Sequence, residues 1–247
     1  MSGGVRRWED LTGSAFAGID PAETVVAFSC SPMEVHGPHL PVKADYFEAD
    51  ALFTRTIERV REREPDREFL VLPPVYAATD ALPQRGSIAF RGSTTVRVLE
   101  DIGRSLAAQG FRHVWISSFH GSPRHFLSIE RACARVRRRH GLAMLPFYSA
   151  MIRRFARRKV LLPDLLGGVE GVTREELVGD DHAGTLETSL LLHLAPGLVA
   201  EHGELERRVI FEGTPPIGRH GHGALRILAL GRELLATLTY FERETYA

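Results

Sequence analysis

The chain is 247 residues long, 44% hydrophobic and 25% charged, the proportions of an ordinary globular protein with enough apolar side chains for a sizeable core. Its 31 basic residues balance 31 acidic ones, so the formal net charge is zero and nothing draws the molecule generally to nucleic acid or to an acidic membrane surface. Two cysteines, Cys30 and Cys133, are too few for a disulfide framework and form no CxxC pair, so both read as small buried residues of a reducing compartment.

The first ten residues lack the apolar stretch of a secretory signal, and no apolar run reaches the length of a membrane span. Leu186–Leu198 is too short for one and carries polar residues, so a cytoplasmic location is expected. In chain order, Thr24–Phe28 predicts a buried strand and Asp45–Glu64 an amphipathic helix, with Phe47, Leu52, Ile57 and Val60 near helical spacing. Phe69–Leu72 predicts a second strand. Thr94–Gln109 predicts a helix striped by Val96, Leu99, Ile102 and Leu106, capped by Ser93 and stopped at Gly110. His113–Ser117 and Leu142–Pro146 read as strands, and Pro123–Arg139 and Glu187–Leu194 as helices. Tyr76–Pro83 and Phe147–Phe155 follow strand ends and are expected to wall a pocket.

Strands alternating with helices predict a layered α/β fold on a mainly parallel sheet, in one domain over residues 1–247. Ligands in such folds bind at the carboxyl ends of the strands. The basic runs Arg131–Arg139 and Arg153–Lys159 read as solvated faces rather than nucleic-acid patches.

Three polar clusters fall where ligands are expected. In Glu34-Val35-His36-Gly37-Pro38-His39, Gly37 and Pro38 forbid a helix, and alternate residues of extended chain can turn Glu34 and His36 to one point. Asp45 follows near a helix start, where a carboxylate is electrostatically favoured and its second oxygen is free to bridge two cations. The second cluster, Ser117 to Ser122, sets His120 beside Gly121 at a strand end. In the third, Gly179 to Ser189, small residues separate His182 from Glu187, which is either a capping acid or a carboxylate held in a defined direction at the head of a helix. Imidazoles and carboxylates from three strand–loop junctions point to a metal-centred hydrolytic site suited to zinc, manganese or iron.

The run Glu34-Val35-His36-Gly37-Pro38-His39-Leu40-Pro41, with Asp45 beyond it, resembles the E-x-H-G-P-H-L-P…D signature of the creatininase family. Phe119-His120-Gly121-Ser122 resembles that family's N-G-H-G-G-N turn, and His182-Ala183-Gly184-Thr185-Leu186-Glu187-Thr188-Ser189 its H-A-G-x-x-E-T-S segment. Gly92 to Val114 resembles the helix and strand between the first two motifs, so the likeness runs from about Thr24 to Val199. It implies a three-layer α/β/α fold and one or two divalent metal ions. It also implies hydrolysis of C–N bonds in small amides, cyclic amides or short peptides, and a homo-oligomer, often a hexamer. Glu34, Asp45 and His120 match the first-metal ligands. His36 and the bridging Asp45 match second-metal ligands, His182 matches a catalytic histidine, and Glu187 matches the acid that follows it.

The departures shape the expectation. Ser118 and Pro123 stand where the family's turn has asparagines, and Ser122 stands where creatininase itself places a second-metal carboxylate. Creatinine is therefore not the expected substrate, and the second metal is absent, weak, or completed by Glu187. Thr185 replaces a frequent acid, and the Arg219–Gly223 run of His and Gly reads as a flexible surface loop, either over the substrate or at a subunit contact. Metal-assisted ring opening or dehydration, and a non-catalytic metabolite-binding relative, are the alternatives to hydrolysis.

Overall fold

The computed structural model describes residues 4–158 and 182–200. Five strands, β1 (Val5–Arg7), β2 (Val25–Ser29), β3 (Phe69–Val71), β4 (His113–Ser117) and β5 (Ala143–Pro146), form one sheet in the order β1-β3-β2-β4-β5. Every neighbouring pair is parallel. The α-helices are α1 (Gly13–Phe16), α2 (Ala44–Arg61), α3 (Gly92–Ala108), α4 (Pro123–His140), α5 (Phe147–Arg158) and α6 (Thr185–Leu194). None of the described helices is long and apolar enough to cross a membrane. The Arg219–Gly223 segment lies outside the described residues.

Side chains of β2 alternate between two apolar layers, as the pleat requires. Val25 and Ala27 pack with Phe53, Ile57 and Val60 of α2, together with Phe69, Trp115 and Phe147. Val26 and Phe28 pack with Leu99 and Leu106 of α3 and with Ile129 and Val136 of α4. The sheet is thus covered on both faces, giving three layers, and central β2 is buried throughout. That is why its sequence is a continuous apolar run rather than an alternating one.

Four strands fall on the expected runs. β1 escapes sequence reading because Val5-Arg6-Arg7 has no apolar pattern; pairing with β3 makes it a strand, and Arg6 meets Glu68 at 2.6 Å across that edge. Helix α3 starts earlier than expected. Arg91 is its N-cap, in extended backbone and without a side-chain cap, so Ser93 lies inside the first turn and does not cap it. Helix α4 has the expected punctuation, with Ser122 as N-cap, Pro123 in the first turn and left-handed Gly141 at the C-cap. Phe147 is a core side chain against Phe53 and Trp115, not a pocket wall. Both cysteines are buried free thiols, pushed up to about 12 chiefly by desolvation.

The chain leaves β2 toward β3 on one side and leaves β4 toward β5 on the other, with α2 and α4 on opposite faces. The strand order therefore reverses between β2 and β4, and the loops at their carboxyl ends part there to open a crevice.

Helices α3 and α4 meet at Gly103, where an added Cβ would stand 2.7 Å from one Val136 methyl, 2.8 Å from the other and 2.8 Å from the Met144 sulfur. Val136 is branched at Cβ and cannot swing away freely. Gly103→Ala is expected to destabilise the protein by about 1–3 kcal/mol despite the better helix propensity of alanine. Urea unfolding would read this, and unchanged or increased stability would show that the two helices can part.

Candidate metal centre

The switch point gathers the expected residues. Glu34 and His36 come from the loop after β2, where Gly37 turns the chain with φ 65°. Asp45 sits in the first turn of α2, His120 in the turn between β4 and α4, and Glu187 in the first turn of α6. Asp45 faces two imidazoles at once. Its Oδ1 lies 3.3 Å from His36 Nε2, and its Oδ2 lies 3.5 Å from His120 Nδ1. Glu34 Oε2 is 2.9 Å from the same His120 nitrogen, and Glu187 Oε2 is 3.9 Å from His36 Nε2. Two ligand sets share Asp45: Glu34, Asp45 and His120, then His36, Asp45 and Glu187, each with donor atoms within 4.8 Å of one another. A third set joins Glu34, His36 and His182.

The far sides of these side chains are tied down, which fixes what the near sides can do. His36 Nδ1 lies 3.0 Å from the Glu34 carbonyl oxygen, and His120 Nε2 lies 3.2 Å from that of Thr79. A carbonyl only accepts, so these nitrogens carry the protons and the opposite ones are bare in a neutral ring. The Leu82 amide donates to Glu34 Oε1 at 2.7 Å. Glu34 Oε2, His36 Nε2 and Asp45 Oδ2 are buried without a hydrogen bond of their own, although they crowd together. Oxygen and nitrogen lone pairs converging without hydrogen-bond alignment suit a divalent cation.

Protonation in the metal-free chain follows the same geometry. Burial alone would lower His36, but Asp45 and then Glu187 raise it to about 9. Burial likewise opposes a charge on His120, yet Asp45 and Glu34 raise it to about 10. Asp45 is driven the opposite way: burial would raise it, but His120 and His36 hold it well below the usual carboxylate range.

His182 precedes α6 and stacks over His36, ring centroids 4.1 Å apart. Its Nε2 donates to the Val35 carbonyl at 2.6 Å, so Nδ1 is the basic atom of the neutral ring. Burial, then His36, lower its pKa. Glu187 does two things: the carboxylate that faces His36 also accepts from the Ala183 amide, as a capping acid does. Ala183 (φ 56°) and Asp80 (φ 69°) are the non-glycine residues in left-handed backbone among the described residues, and each flanks a site histidine contact.

Other buried polar residues support the site: His39, expected from sequence to be structural, does serve that way, whereas His125 and Glu48 were not singled out from sequence. His39 joins the first loop to α6 through Thr188 Oγ1 at 2.9 Å, and His125 pins α4 to the end of β2 through the Cys30 carbonyl at 2.9 Å. Glu48, one turn beyond Asp45, is fully buried. Burial, then Glu187 and Asp45, raise its pKa well above the ordinary value. Its signal was present in the sequence: positions 45, 48, 49, 52, 53, 56, 57 and 60 form the buried stripe of α2, and Glu48 lies on it.

A family model described as "Creatininase: Creatinine amidohydrolase" matches residues 9–216. The chain belongs to the creatininase family. Among curated relatives, the mycofactocin precursor peptide peptidase of Mycobacterium tuberculosis (strain CDC 1551 / Oshkosh) is 27% identical over 168 residues. That match covers 66% of this chain, which spans only about half (55%) of the relative's length. Among solved structures, a creatinine amidohydrolase (creatininase) is 21% identical with a TM-score of 0.60, covering 97% of this chain and 94% of the other. A structure named "Creatininase Mn" is 21% identical with a TM-score of 0.56, covering 97% and 95%. These likenesses establish the creatininase fold.

Ser122, where creatininase carries a carboxylate, is engaged elsewhere. Its hydroxyl donates to Asp80 Oδ2 at 2.5 Å and accepts from the His125 amide at 3.4 Å. Ser122→Ala is expected to cost about 1 kcal/mol through the lost N-cap. Chemical denaturation would detect it, and an unchanged midpoint would show the cap to be idle.

Proposed function

We propose that this chain is a metal-dependent amidohydrolase that cleaves a C–N bond of a small amide, a cyclic amide or a short peptide, and not of creatinine. One observation carries the reading: the two oxygens of Asp45 each face a different imidazole, at the join of two convergent ligand sets. Glu34, Asp45 and His120 would hold one cation, and His36, Asp45 and Glu187 a second. Family membership supports hydrolysis, and the relative named as a precursor peptide peptidase supports an amide bond in a peptide as one substrate class. Relatives named "Creatininase Mn" and of "Zn-Zn type" support manganese or zinc, and iron suits the same donors. The reading includes one amidohydrolase domain, a cytoplasmic location and a homo-oligomer, a hexamer by the family resemblance.

A divalent cation bound here would supply Lewis acidity and an acidified water. The chain's own part is proton handling and orientation. His182, fixed by the Val35 carbonyl, presents Nδ1 as a base whose pKa lies below the ordinary imidazole value. It takes the proton of the attacking water and returns it to the leaving nitrogen. Because Val35 stands between Glu34 and His36, the loop that carries ligands also aims the base.

His182→Ala is expected to lower kcat about 100- to 10,000-fold while metal content stays at the parent value. Activity at the parent rate with metal bound would remove His182 from the chemistry. Chelation should abolish turnover of amide substrates, and manganese or zinc should restore it, with a product one water heavier by mass spectrometry. Cation affinity should also depend on pH. His36 and His120, at about 9 and about 10 without metal, must release protons to coordinate, so affinity rises as pH goes from about 6 to about 9. Metal titrations at several pH values would read this, and a pH-independent affinity would exclude both imidazoles as ligands.

A further inference from the structure

Glu48 is a buried carboxyl group that the described residues around it leave unsatisfied. It is 0% exposed, and neither side-chain oxygen has a hydrogen-bond partner among the described residues. It stands three residues after Asp45 on α2, hence on the same helix face, and α2 packs against α6, which carries Glu187. The charged groups that act on it most are Glu187 and then Asp45, both acids. Among the described residues no arginine or lysine counters them. A buried carboxyl without a partner costs about 1–3 kcal/mol even when neutral, and far more when charged. Beyond Glu48 the stripe continues with Ala49, Leu52, Phe53, Thr56, Ile57 and Val60, apolar except for Thr56, so an apolar side chain would sit at this position without that cost.

A cation on the Glu187 side of the centre removes the difficulty. The second ligand set has His36, Asp45 and Glu187, and Ser122, turned to Asp80, adds no charge to it. Glu48 stands outside the converging ligand sets themselves, and with it the carboxylates at and beside the centre would number four (Glu34, Asp45, Glu48 and Glu187), whose four negative charges would match two divalent cations. We propose that Glu48 is a carboxylate of the metal centre, supplied from α2 to retain the second cation in place of the acid that Ser122 does not provide. The inference rests on the two-cation reading above and goes beyond it by naming a residue outside the family's motifs.

The test uses the full chain, manganese alone as probe, and two variants. Glu48→Gln keeps size and polarity, and Glu48→Leu restores an apolar stripe. Equilibrium dialysis with elemental analysis should find two manganese ions per parent chain. Both variants should keep the first ion and bind the second about 100-fold more weakly. Thermal melts give a second readout: the metal-free Leu variant should melt above the metal-free parent, because an unpaired buried acid is gone. Its rise in Tm on adding manganese should be smaller than the parent's. Should the Leu variant fail to fold, the Gln variant carries the comparison. Unaltered stoichiometry and affinity in the variants, whether the parent binds one ion or two, overturns the role of Glu48 and leaves the enzyme reading standing. A parent chain that binds no manganese, zinc or iron overturns both together.

Discussion

The Asp45 carboxylate holds the site together. It is buried at the head of α2, and its oxygens face imidazoles that arrive from two different strand ends, His36 after β2 and His120 after β4. Such an acid is tolerable inside a protein only with positive charge beside it. In the metal-free chain the two imidazoles supply that charge, and their raised affinity for protons is the counterpart of its lowered one. The proton-loaded and cation-loaded centres are thus alternative answers to the same electrostatic demand.

The frame that makes this convergence possible is the all-parallel sheet. Every strand delivers its following loop to the same edge, and the reversal of strand order between β2 and β4 separates those two loops enough to open a crevice. The loop from β3 closes the crevice from the side. Its Thr79 carbonyl orients His120 and its Leu82 amide holds Glu34, so a segment without an ionisable ligand sets the direction of two ligands. Helix α6, the last of the described helices, is fastened through His39 and Thr188, while His182 returns the contact to Val35. These ties are hydrogen bonds to backbone or hydroxyl groups, which position side chains without competing for the cation.

Much of this was legible in sequence because its signals are local. Apolar runs, three of the four ending in Gly, Pro, Ser or His clusters, located β2 to β5, and the six candidate residues Glu34, His36, Asp45, His120, His182 and Glu187 all meet at one place. Local signals were silent or misleading where a distant contact decides the outcome. β1 exists through its pairing with β3, and α3 begins ahead of Ser93 because the Arg91 carbonyl already accepts from the Thr94 and Thr95 amides. Phe147 follows a strand end yet serves the core, since the helix that starts there folds back on the sheet. Glu48 was easy to pass over by its type, since a glutamate on a charged amphipathic helix suggests a solvated face, although its position on the α2 stripe marks it for burial.

The sequence by itself determined the chemistry available. The donor types, their order, the turns that free them from helices and the alternation that builds a parallel sheet are all written in short stretches of chain. Tertiary structure alone decided how those donors divide. It made Asp45 the shared acid, left His182 with a basic Nδ1, committed Ser122 to Asp80 and buried Glu48 on the face of α2 that carries Asp45. The physical reason is that a ligand's role depends on which atom faces the cation and which is tied behind it. That choice is made by residues up to 149 positions away in the chain, as between His39 and Thr188.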